Sequence, residues 1–101
     1  MSMITAEQAK NMRSNINIEG KIKDKQEPRT VNLRTGSTTE VCDMTLQDSE
    51  DGEIKLTLWG DEIGKVNNGD TVKITNGYTK TFRNEVAINV GRYGKLEISP
   101  P

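Results

Sequence analysis

Between Ile54 and Trp59 the chain alternates strictly, with Ile54, Leu56 and Leu58 interleaved with Lys55, Thr57 and Trp59. Successive side chains of a strand point to opposite faces, so the aliphatics take one face and Trp59 shares the other with a lysine and a threonine. The only tryptophan therefore reads as displayed. The same period recurs along the chain. Ile16, Ile18 and Ile22 fall on one face between Asn15 and Lys23, where Gly20 marks a bulge or bend, and Cys42, Met44 and Leu46 share a face between Thr38 and Gln47. Val72 and Ile74 point inward between Thr71 and Thr75, and Val86, Ile88 and Val90 define a fifth inward face.

The connections have their own chemistry. Asp24 to Ser37 holds Pro28 and Gly36 around Val31 and Leu33, which predicts a long hairpin loop that exposes Arg29 and Arg34 and can close over a ligand. Asp48 to Gly52 is a tight acidic turn; its spacing does not match an EF-hand loop. Gly60 to Val66 places acids first and lysine last, favourable for a short helical turn whose Ile63 and Val66 cap the core, and the same dipole logic accounts for Asp61 and Glu62 without a catalytic role. Asn68-Gly69-Asp70 and Asn76-Gly77 read as turns. Tyr78, Lys80 and Phe82 then alternate with Thr79, Thr81 and Arg83, while Leu96 and Ile98 either continue the last strand or pack alone. Residues 1–14 predict a frayed helical turn or ordered tail ahead of one domain over 15–99. Five short strands with a helical turn between the third and fourth predict an all-β fold, a small Greek-key barrel.

Composition narrows the chemistry. At 101 residues, 32% apolar and 29% charged, the chain supports a single thin core. No apolar run has the length of a membrane span and the start lacks the apolar centre of a secretory signal, so an intracellular protein with no membrane partner is expected. Histidine is absent and Cys42 is the only cysteine. Ser-His-Asp and Cys-His triads, internal disulfides and nearly every zinc site are thereby removed, and no metal or cofactor is expected. Cys42, on the apolar face, reads as inert core.

A net charge of −1 argues against a nucleic-acid ligand, yet the distribution is uneven. Residues 1–70 hold nine Lys and Arg against thirteen Asp and Glu, whereas residues 71–101 hold five against two. The basic excess falls where Tyr78, Phe82 and Tyr93 lie. Placing Trp59, Tyr78 and Phe82 on one outer face, with Lys55, Lys73, Lys80 and Arg83 beside them, gives a surface suited to unpaired bases. Stacking a base on an aromatic ring is worth about 1 to 3 kcal/mol whatever the base, and cations track the phosphates between stacks. Aromatic rings in small domains are also common core residues. Alternation favours display for Trp59, and for Tyr78 and Phe82 if their segment stays extended; it leaves Tyr93, between two glycines, open.

These residues also carry a resemblance. LTLWGDEIG, GDTVKITNGYTKTF and INVGRYG, with PRTVNLRTG upstream, are similar to the single-OB-fold single-stranded DNA-binding proteins of archaea and their human-type homologues, over roughly residues 12 to 98. The resemblance implies an OB-fold and base stacking by the rings at Trp59, Tyr78 and Phe82. Basic contacts are expected from Arg83, Lys80, Lys73 and Lys55, and from Arg34 and Arg29 of the first loop. Asn89 stands where some family members carry a ring. The family implies sequence-nonspecific, non-enzymatic binding of single-stranded DNA that protects strands in replication and repair, with replication and repair proteins recruited through a tail not contained in this sequence. It implies a nucleoid-associated cytoplasmic location in an archaeon and a nuclear one in a eukaryote. Single-stranded RNA stays open as a ligand, since nothing here reads the 2′-hydroxyl. A protein-interaction module is the other reading, because fold does not decide function. A nuclease is disfavoured by the missing histidines and the lack of a carboxylate cluster beside the rings.

Overall fold

In the computed structural model, residues 3–91 and 93–100 are described, with the Phe82 side chain outside the description. The inward positions set by alternation form the core: Ile16, Ile18, Ile22, Cys42, Met44, Leu46, Ile54, Leu56, Leu58, Val72, Ile74, Ile88 and Val90 are all buried, and Val86 packs partly buried against them. Burial pushes the Cys42 thiol up, and its Sγ donates to the Gln26 carbonyl at 3.1 Å, so the thiol is held as a core group.

Seven strands follow in chain order: β1 (Ile16–Lys23), β2 (Arg29–Asn32), β3 (Thr38–Gln47), β4 (Glu53–Trp59), β5 (Thr71–Phe82), β6 (Glu85–Asn89) and β7 (Lys95–Ser99). Five of them close a ring. β1 pairs antiparallel with β3 and β5, β3 with β4, and β5 with β6, and a parallel β4–β6 pairing completes the circuit. A parallel pair needs a crossover. The 3₁₀ turn Gly60–Lys65, which buries Ile63, and β5 supply it. The predicted helical turn between the third and fourth ring strands is thus present.

Four segments depart from the expectation. The Asp24 to Ser37 stretch is not a plain loop: β2 pairs with the first half of β3 from Arg29↔Val41 to Asn32↔Thr38, and a tight turn joins them through Leu33 N–H to Ser37 O at 2.8 Å. Only Val31 of this edge strand is even partly buried, so it lacks the alternation that marks a half-buried strand. Leu96 and Ile98 neither extend the fifth predicted strand nor pack alone: they belong to β7, which pairs with the first half of β5 on the edge that β6 occupies further on. At the start, the helical turn α1 (Ala6–Ala9) is fixed by a capping box between Thr5 and Gln8, and buries Ala6 and Ala9 completely. Beyond it, Arg13 O and Met12 O accept from the backbone N–H and the hydroxyl of Thr79, tying this arm to β5.

The fourth departure matters most for function. Asn76-Gly77 does not turn the chain; β5 runs on, with Asn76 at φ 56 and the register against β1 shifting between Ile16 and Ile18. Such a bulge carries the strand one residue out of step. Before it Val72 and Ile74 face inward, and after it Gly77 does, since a Cβ there would lie 3.0 Å from the Ile74 methyl Cγ2. Tyr78 and Lys80 therefore take the outward register, opposite Asn89 and Ala87 of β6.

Candidate nucleic-acid interface

Pairing assembles one outer face from strands distant in sequence. On β4, Lys55, Thr57 and Trp59 point outward. Thr45, Asp43 and Val41 of β3 lie opposite them on one side, and Ala87 and Asn89 of β6 lie beside Lys55 and Thr57 on the other. β2 adds Arg29 opposite Val41, and β5 adds Tyr78, Lys80 and the backbone of Phe82. The Phe82 ring itself lies outside the described residues.

Trp59 ends β4 with 38% of its surface exposed. Its indole N–H donates to Asn89 Oδ1 at 2.9 Å, and its ladder partner Val41 is buried although it lies on the outer face. Tyr78 is half-buried. Gly91 comes against its ring at φ 76, where an added Cβ would sit 2.7 Å from ring atom Cε1, so any side chain at that position would displace the ring. Tyr93, left open by the sequence, is 82% exposed, and its carbonyl accepts from the Asn76 amide at 3.5 Å, two residues from Tyr78 in sequence.

The cations on this face alternate with carboxylates. Arg29 Nη1 lies 2.8 Å from Asp43 Oδ2, Lys55 Nζ lies 3.4 Å from the same oxygen and 2.8 Å from Glu85 Oε1, and the Thr57 hydroxyl donates to Asp43 Oδ1 at 2.9 Å. Burial pushes the Asp43 carboxyl up, but hydrogen bonds from Arg29 and Thr57, with Lys55 nearby, outweigh it and hold it below the usual range. Glu85 chiefly holds Lys55 above its ordinary value. Asp43 and Glu85 were not singled out from the sequence. Asp43 was findable, because it sits between the inward Cys42 and Met44 and so must face outward.

Of the other basic candidates, Lys73 and Arg34 lie apart and Arg83 stands at the end of β5. Lys73 precedes the bulge and stands in register between Glu19 of β1 and Glu97 of β7. Arg34 is exposed in the β2–β3 turn beside Leu33, itself 39% exposed. Arg83, at φ 53, forms with Asn84 the turn from β5 into β6. The structure thus brings together Trp59, Tyr78, Lys55, Lys80 and Arg29, and leaves Lys73 on another wall. A groove of about 670 Å³ takes in the Asp43, Thr45 and Lys55 end of this face together with Lys10, Asp24 and Glu85, and neither Trp59 nor Tyr78 lines it. The rings are carried on an open surface.

Removing the shorter of the two ion pairs of Lys55 should be measurable. Glu85→Gln is expected to raise affinity for an oligothymidine strand by about two- to fivefold at low salt, the scale of one exposed ion pair. The salt slope should steepen by about one phosphate contact in the same titrations. Unchanged affinity and slope would show that Lys55 does not meet phosphate.

A five-stranded ring closed by a parallel pair, with a helical insert before the fourth ring strand, is an OB-fold. Residues 6–98 match the family described as single-stranded DNA binding protein Ssb-like, OB fold, and the chain belongs to that family. It is 34% identical over 86 residues to the single-stranded DNA binding protein Ssb of Saccharolobus solfataricus. That match covers 85% of this chain and 56% of the relative, so the chain spans about half the length of the curated protein it resembles. Two solution structures share the fold. The replication factor A related protein of Methanobacterium thermoautotrophicum superposes with a TM-score of 0.75 at 19% identity, over 97% of this chain and 91% of that one. The second OB-fold domain of replication protein A from Methanococcus maripaludis gives 0.65 at 21% identity, over 83% and 82%. The resemblance read from the sequence motifs is therefore borne out at the level of family and fold.

Proposed function

We propose that this protein binds single-stranded DNA without sequence preference, stacking bases on Trp59, Tyr78 and Phe82 and meeting phosphates with Lys80, Lys55, Arg29 and Arg83, and so shields strands opened in replication or repair. One observation carries the reading: Trp59 is exposed on an open face that it shares with Tyr78. Family membership supports the same ligand class. Unpaired bases are required, because a duplex hides the faces that stack. Lys73 and Arg34 contribute, on this reading, only to strands that run beyond the rings.

The test uses Trp59 as its own reporter. Titrating its fluorescence with an oligothymidine strand should give saturable quenching, weak with the corresponding duplex. Because Arg29 and Lys55 already face carboxylates, affinity should fall gently with salt; a loss of more than about a thousandfold between 50 and 200 mM would contradict this. Equal quenching by oligouridine would extend the ligand to RNA. Absence of quenching by every strand would overturn the proposal.

A further inference from the structure

Among the described residues three polar or charged side chains are buried: Asp48, Asp70 and Asn89. Asp48 accepts from the backbone N–H groups of Ala6, Glu50 and Gly52, and Asp70 from that of Asn67, so both serve the main chain. Asn89 serves a side chain. It is 3% exposed, and its Oδ1 accepts from the Trp59 indole N–H at 2.9 Å across a sequence gap of 30 residues. Indole nitrogen is a donor only, so the amide atom it meets must be the oxygen, and the orientation of the amide follows from chemistry.

Its place in the sheet gives this bond a purpose. Asn89 pairs with Thr57 on β4 and with Tyr78 on β5, so it sits on the strand that separates the two ring-bearing strands. Those strands lie two spacings, about 10 Å, apart. A tryptophan at the end of an exposed strand face ordinarily samples several rotamers, and immobilising it on binding costs affinity. The buried amide removes that freedom before a base arrives, and the ladder partner of Trp59 on the other side is the buried Val41.

We propose that Asn89 is a positioning residue for nucleic-acid binding: it touches no base, and it fixes the Trp59 ring in the orientation that stacks. This rests on the reading that Trp59 stacks on bases. A double-mutant cycle separates the two. Asn89→Leu keeps the branching at Cγ and loses the acceptor; Trp59→Phe keeps a ring and loses the donor. A labelled oligothymidine strand reports affinity in every variant, and thermal unfolding confirms that each is folded, with Asn89→Ser used should the leucine variant fail to fold. Asn89→Leu should weaken binding about five- to tenfold with Trp59 present, the scale of one net hydrogen bond, and by less than twofold once Trp59→Phe has removed the donor. In the free protein it should also lower Trp59 fluorescence anisotropy and raise its quenching by acrylamide, which a loss of general stability would not do in a folded variant. Equal losses in both backgrounds, or an unaltered anisotropy, would overturn the positioning role. Should Trp59→Ala leave affinity intact, the stacking reading falls and this inference with it; should Trp59→Ala matter while Asn89→Leu does not, the inference alone falls.

Discussion

Alanine at both Trp59 and Tyr78 should lower affinity for an oligothymidine strand by about a thousandfold, with each single change costing about thirtyfold, taking stacking at about 2 kcal/mol per ring. A labelled strand must supply the signal, since the double variant has lost its tryptophan. Both rings sit at the surface of the fold and Tyr78 lies against the Gly91 main chain without entering the core, so the double variant should remain folded. Asn89 bridges the strands that carry the two rings, which makes some coupling between them the expected result. A double variant that loses less than tenfold would show that this face is not where the strand lies.

The largest effect on stability is expected at Asp48. Its carboxylate gathers the N–H of Ala6 at 2.6 Å, of Glu50 at 2.8 Å and of Gly52 at 2.9 Å, joining α1 to the β3–β4 turn from 42 residues away. The acidic turn thus has a structural use for its first acid. Asp48→Ala leaves these donors without their acceptor and should cost about 3 kcal/mol, near 15 °C in melting temperature for a domain of this size. The Ala6 hydrogen bond, working against burial and helped by those from Glu50 and Gly52, holds the carboxyl below its usual range. An unfolded aspartate titrates near pH 4, so this contribution is whole above about pH 4 and drains away as the pH falls through the lower folded value. Melting curves recorded from pH 6 down to pH 3 should therefore fall more steeply for the native chain than for Asp48→Asn. Parallel curves would remove Asp48 from the account of acid stability.

What the sequence made legible follows from how local each signal is. Alternation over Ile54–Trp59 or Cys42–Leu46 needs only neighbours, and those faces were assigned correctly down to the displayed tryptophan. Asn76-Gly77 was misread because a turn and a bulge use the same left-handed backbone, and only the partner strand β1 tells them apart. β2 and β7 hid for a related reason: each is short and owes its existence to pairing with a strand elsewhere. The row of Arg29, Asp43, Lys55 and Glu85 and the Trp59–Asn89 bond depend on ladders between distant segments, among them the parallel β4–β6 pair. Asp43, Lys55, Trp59 and Asn89 had an outward parity that could be read; their neighbours across the ladders could not be.

The bulge at Asn76 divides one continuous strand between two tasks. Upstream, β5 is a wall of the core; downstream, it is a blade that turns Tyr78 and Lys80 outward. Because side chains alternate, shortening the strand by that one residue would turn Thr79 outward and drive Tyr78 and Lys80 toward the interior. The proposed binding surface is thus encoded in a length as much as in its aromatic residues, and a relative could keep the rings and lose the surface by a single deletion.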